Sequence, residues 1–187
     1  MKKGGTGGAY TSRQGATFEI LTDEKLLKEM TNSGYVEKDV HKLSGAHGPI
    51  HGRTMQSASG DVVEFFYKAG LYRIFFATHG VDYHEYFSAR LEPDTAIYSH
   101  ATKVLTIIEK KQMTVGGSVA EKLQTCDYKR HYYETLTKDL GIEVDIKWLL
   151  GEYFKQQQVQ LKSVYDYMLS KGSNYYFDSI KLQDLRI

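Results

Sequence analysis

The sequence predicts an α/β fold, a central mixed β-sheet flanked by helices, on three observations. Two short β-prone runs, Asp94–Tyr98 (DTAIY) and Lys103–Lys111 (KVLTIIEKK), flank a polar turn, which is the signature of a hairpin. A helical pattern over Val119–Asp139 follows, announced by Ser118 as N-cap with Glu121 three residues on, a capping box. An alternating strand, Ile142–Leu149 (IEVDIKWL), then leads into a second helical pattern over Glu152–Ser170.

Taken in order, residues 1–15 are glycine-rich and polar and read as an N-terminal arm. The glycines at 5–8 suggest a phosphate loop, but no strand precedes them and no Gly-Lys-Ser/Thr closes them. From Ala16 to Thr31, Phe18, Leu21, Leu26 or Leu27, and Met30 recur at mainly helical spacing, and Gly34 supplies the stop. Tyr35–Leu43 alternates weakly and reads as a strand. Ser44–Gly60, rich in Gly, His and Ser and containing Pro49, reads as a long loop. Asp61–Thr78 is aromatic and β-branched on both sides of Gly70 and is open between helix and hairpin. Asp82–Leu91 predicts no element, and Tyr175–Ile180 reads as a last short strand.

A chain of 187 residues predicts a single domain spanning 1–187. With 41% hydrophobic and 25% charged residues, wholesale disorder is excluded. No apolar run nears the roughly 20 residues that span a bilayer, and the N-terminus lacks the apolar region of a secretory signal, so a cytoplasmic protein without membrane contact is expected. Cys126 is the only cysteine, so neither an internal disulfide nor a thiolate zinc cluster can form. Twenty-four basic against 23 acidic residues leave a net charge of +1, so a polyanion would have to be met by one locally basic face.

The hairpin brings chemistry together. With a four-residue loop at His100–Lys103, antiparallel pairing sets Asp94 opposite Glu109, and the strand period adds Lys111 to the same face. Carboxylates roughly 5 Å apart at Cβ repel unless a cation lies between them. Mg²⁺ takes oxygen ligands of this kind and keeps positions for water and phosphate, while a neighbouring lysine can orient or deprotonate an attacking water. Both acids also suit ordinary solvated strand ends. A rival triplet, Asp145-Ile-Lys147, lies on another strand without an acid opposite it. His41, His47, His51, His79 and His84 raise a zinc or His-metal nuclease reading, although no H-E-x-x-H helix supports it. Lys122, Lys129 and Arg130 form a candidate phosphate-contacting face, interleaved with Glu121, Asp127 and Glu134. Trp148, Ile146 and Leu150 read as core.

Pro93-Asp94, fourteen residues, then Glu109-Lys110-Lys111 after the apolar strand Val104–Ile108 resembles the signature of the PD-(D/E)XK nuclease superfamily. The texture of LEPDTAIY, VLTIIEKKQ, GGSVAEKLQTCDYK and the late YYF is similar to its small type II restriction endonucleases, over roughly residues 7–25 and 91–180. The resemblance implies a restriction-endonuclease-like core in which Asp94 and Glu109 bind Mg²⁺, Lys111 assists water activation, and Glu19 on the first helix is an additional acidic residue. Gln124 and Tyr128 are similar to the Q-x-x-x-Y helix motif of some nuclease branches, which adds Gln124 to Lys122, Lys129 and Arg130 as candidate DNA contacts. The implied activity is Mg²⁺-dependent, sequence-specific cleavage of double-stranded DNA, with a homodimer supplying one site per strand. A structure-specific repair or recombination nuclease and a non-catalytic DNA- or protein-binding module are the alternatives.

Overall fold

The computed structural model describes residues 8–43, 48–113 and 119–187. Among the described residues, seven strands form one mixed sheet in chain order: β1 (Val36–Lys42), β2 (Ile50–Gln56), β3 (Val62–Phe66), β4 (Thr95–Ser99), β5 (Val104–Lys111), β6 (Glu143–Leu150) and β7 (Asn174–Phe177). The pairs from β1 to β5 are antiparallel, whereas β5, β6 and β7 run parallel. That switch follows from the connections. Short connections join β1 to β2, β2 to β3 and β4 to β5, and a longer segment that carries the helix Leu71–Phe76 joins β3 to β4, while β5 to β6 needs a helical crossover, supplied by α2 (Val119–Leu123) and α3 (Cys126–Thr137). α4 (Glu152–Gln156) and α5 (Lys162–Ser170) carry the chain from β6 to β7. The mixed α/β class expected from the sequence is present.

Side-chain alternation divides the core into two layers. Leu105 and Ile107 of β5 and Ile146, Trp148 and Leu150 of β6 pack with Tyr132, Tyr133 and Leu136 of α3 and with Phe154, Tyr165 and Met168. Val63, Phe65, Ile97, Ile108 and Leu149 face the other way, against Leu26 and Met30 of α1 (Gly8–Asn32) and Ile180 and Leu185 of the C-terminal segment. The expected burial of Ile146, Trp148 and Leu150 is thus found.

Four readings of the sequence are corrected. The helix of α1 begins at Gly8, inside the expected glycine-rich arm, because the helical period from Phe18 onward propagates backward at little cost once nucleated. Part of the expected loop 44–60 is β2. A Cβ at Gly52 would stand 2.8 Å from the Phe65 carbonyl oxygen, so glycine there serves close strand packing and not a turn. The segment Asp61–Thr78 is neither one helix nor a hairpin but β3 followed by a π-helix, Leu71–Phe76, which buries Leu71, Tyr72, Phe75 and Phe76. Gly70 permits the junction, since a Cβ there would lie 1.9 Å from the His51 carbonyl oxygen. Each long helical pattern is also broken in two, at Gln124–Thr125 and at 157–161. Ser118 and the phosphate-loop glycines at 5–7 lie outside the described residues. Among the described residues no helix is long and apolar enough to cross a membrane.

Candidate functional site

The β4–β5 hairpin forms in the expected register, with Thr95 opposite Ile108 and Ser99 opposite Val104. The loop residue Lys103 takes φ of +54°, which closes the four-residue turn. One step before β4, Asp94 reaches β5 through its carboxylate, whose Oδ2 accepts the Lys110 backbone N–H at 2.7 Å. Glu109 and Lys111 share the side of β5 that carries Ile107.

The three predicted residues converge. Lys111 Nζ donates to Asp94 Oδ2 at 3.0 Å and to Glu109 Oε2 at 3.1 Å, and it also donates to the Lys110 carbonyl oxygen at 2.9 Å. One ammonium thus gathers three oxygens. Burial disfavours that charge, but the Glu109 and Asp94 carboxylates together outweigh burial and hold the Lys111 pKa above the ordinary lysine value. In this arrangement Lys111 is a donor and not a base at neutral pH.

Glu109 is 3% exposed, and its second oxygen is occupied as well. Lys129, from α3, donates to Oε1 at 2.8 Å. The sequence marked Lys129 only as a possible phosphate contact. Its helical position 20 residues downstream carries no signal of this pairing, because α3 is brought over β5 by packing of Tyr132, Tyr133 and Leu136. Beside these groups opens a cleft of about 340 Å³, lined among others by Lys122, Tyr128, Trp148 and Leu91. Lys111 Nζ stands 5.9 Å over the Trp148 ring.

The segment before Asp94 is fixed by tyrosines the sequence did not single out. The Leu91 carbonyl accepts from the hydroxyls of Tyr72 and, at 2.7 Å, Tyr133, while the Leu91 N–H donates to Tyr132 Oη at 3.3 Å. Burial pushes the Tyr133 hydroxyl well above the ordinary tyrosine pKa, so it stays a neutral donor.

Glu19 lies on α1, where its carboxylate pairs with Lys68 at 2.8 Å and its carbonyl accepts from Lys110 Nζ at 3.1 Å. That hydrogen bond to Glu19 raises the Lys68 pKa despite burial, with Asp94 and Glu92 adding to the effect. Glu19 therefore meets the site through lysines. Lys110 itself turns to the α1 side and pairs with Asp23, which also accepts from Thr95 Oγ1 at 2.9 Å. Burial dominates in this pair, raising the Asp23 pKa and lowering that of Lys110.

The remaining candidates are placed elsewhere. Gln124 borders a separate cleft with Ser163, Val164 and Tyr167, whereas its motif partner Tyr128 lines the cleft at Lys111. Arg130 is committed to structure: it donates to the carbonyls of Lys171 (3.0 Å), Val144 (3.1 Å) and Gly172 (2.7 Å). Asp145 and Lys147 pair with each other at 2.8 Å on the α1 side of β6, the face opposite that of Trp148. His41 contacts Thr54 and His84 contacts Asp82, and His47 lies outside the described residues. Among the described residues, no three His, Cys, Asp or Glu side chains gather as a metal cluster.

Comparison of the chain with protein-family models, with curated proteins and with solved structures finds no match in any of the three.

Proposed function

We propose that this chain is a divalent-cation-dependent phosphodiesterase acting on double-stranded DNA and, within that class, a type II restriction endonuclease. The observation that carries the reading is the convergence of Asp94 Oδ2, Glu109 Oε2 and the Lys110 carbonyl on one positive charge, the Lys111 ammonium. A set of hard oxygens already drawn around a cation fits Mg²⁺, which is commonly held by one or two carboxylates together with waters and substrate phosphate. Asp94, Glu109 and the Lys110 carbonyl would hold the ion. When bound, such an ion supplies Lewis-acid stabilisation of the phosphoryl charge and lowers the pKa of water.

The chain's own groups do the rest. The Lys110 amide fixes the Asp94 carboxylate from the backbone, and the tyrosine hydroxyls on Leu91 fix the segment that delivers it. Lys111, as an ammonium, donates to the attacking water or to a phosphoryl oxygen and so orients the nucleophile in line with the leaving oxygen. Water oxygen bonds to phosphorus while one of its protons passes to solvent, the ester P–O bond breaks, and the departing oxygen takes up a proton from solvent. Tyr128 and Lys122 border the cleft where backbone phosphate would lie. Cutting both antiparallel strands calls for two such sites, and a homodimer with a dyad matching a palindromic target provides them. Cellular DNA as substrate goes with a cytoplasmic location.

The test is incubation of the purified chain with supercoiled plasmid and Mg²⁺. Discrete fragments are expected, and Asp94→Ala should leave the plasmid intact. A smear of products would favour a structure-specific or non-specific nuclease. Intact plasmid with the wild-type chain across a panel of targets, despite duplex binding, would favour the binding module.

A further inference from the structure

We propose that Lys129 is a positioning residue that occupies Glu109 in the cation-free protein and passes to the phosphate of a bound duplex when a divalent cation takes its place, so that cation and duplex bind cooperatively. The inference rests on the reading of Asp94 and Glu109 as cation ligands. It starts from a charge balance. The two carboxylates of the site face two ammonium groups, Lys111 on Oε2 and Lys129 on Oε1 of Glu109, and the four charges cancel. Glu109 is buried, so its oxygens need such partners, and neither is free for a metal ion until a lysine leaves; Lys111 keeps Asp94 and the Lys110 carbonyl as further acceptors, whereas the Lys129 ammonium has Glu109 alone among the described residues, so Lys129 is the one that yields.

A divalent ion entering this set leaves two positive charges without compensation in a partly buried place, where such an excess is costly. An anionic phosphodiester relieves it. Lys129 is suited to meet that anion because it stands on α3 and not on the strand that carries the ligands, and its side chain is 15% exposed in the wall of the cleft. The cleft holds further donors for a phosphate. Lys122 and Tyr128 border it. Lys110, Lys68 and Arg130 are differently placed, being tied to Asp23, Glu19 and backbone carbonyls. The Lys129 contact is therefore a competition: the lysine and the ion contend for Glu109, and the duplex settles it by binding the lysine.

The experiment compares wild type with Lys129→Met, which keeps the length of the side chain without the charge, and with Lys129→Arg, which keeps the charge. Circular dichroism melting first establishes that each variant is folded. Mn²⁺ affinity is then titrated without DNA, and duplex affinity is measured in Ca²⁺ and in EDTA. For wild type, Ca²⁺ should tighten duplex binding at least about fivefold, the lower end of ordinary coupling between sites. Lys129→Met should bind Mn²⁺ more tightly by about the same factor and lose most of the Ca²⁺ gain in duplex affinity, while Lys129→Arg stays near wild type. A Lys129→Met protein with wild-type Mn²⁺ affinity, altered only in melting temperature, would overturn the proposal and leave Lys129 a structural ion pair. Wild-type plasmid cleavage accompanied by that result would show the nuclease reading standing without it. No Mn²⁺ binding by the wild-type chain would overturn both.

Discussion

Lys111 links the two acids that the sequence placed opposite each other, and each of the three can be tested by substitution. Asp94→Asn and Glu109→Gln remove a cation ligand without changing shape, and each should lower plasmid cleavage by at least about a hundredfold, comparable with losing one preorganised charge-stabilising group. Lys111→Met should lower cleavage similarly while duplex binding in Ca²⁺ persists. Cleavage retained by Asp94→Asn in a gel assay would remove the site from consideration. Asp145→Asn is the control. It disturbs the ion pair with Lys147 on the opposite side of β6, so the melting temperature should fall while the folded protein cleaves normally. These residues were readable because strand period and a four-residue turn fix who faces whom over a short stretch of chain. Lys129 was not readable as a partner of Glu109, because its place depends on where α3 docks.

At the scale of elements, Lys110 joins the two layers of the molecule. Its backbone N–H holds Asp94 on one side, while its ammonium anchors α1 on the other through Asp23 and the Glu19 carbonyl. Removing Asp23 alone strands a lysine that is 2% exposed, so Asp23→Ala should cost about 3 kcal/mol in a urea unfolding experiment, whereas the double variant Asp23→Ala with Lys110→Met should recover much of it. Additive losses in that cycle would mean that the pair does not couple. The α3 crossover has its own tie in Arg130. Arg130→Ala leaves three carbonyls without their donor, and a loss of about 2 kcal/mol is expected on unfolding. Its substitution should leave the salt dependence of duplex binding unchanged.

For the whole molecule, charge and symmetry set the expectations. With a net charge of +1, duplex affinity has to come from local lysines, and log affinity should fall against log salt with a slope of about −0.9 for each phosphate neutralised. Lys122→Ala with Lys129→Ala should flatten that slope, since both border the cleft beside Glu109. An unchanged slope would locate the footprint elsewhere. Light scattering of the free protein and of its complex with cognate duplex should give the mass of a dimer, and a monomer mass in both states would exclude symmetric two-strand cleavage by a stable pair.

The sequence by itself determined the α/β class, the β4–β5 register, the strand character of β6 and the grouping of Asp94, Glu109 and Lys111. All of these follow from short-range periodicity and turn length, which act between residues close in the chain. Tertiary structure decided the rest. His51 and Gly52, which local composition reads as loop, belong to a strand because that segment pairs with β1 on one side and β3 on the other. The aromatic segment after Gly70 coils as a π-helix because its four large side chains are buried against the sheet. Lys129, Tyr132 and Tyr133 reach the site because α3 packs on the sheet across long stretches of chain, and the energy of such burial, not local propensity, fixes where their polar ends stand.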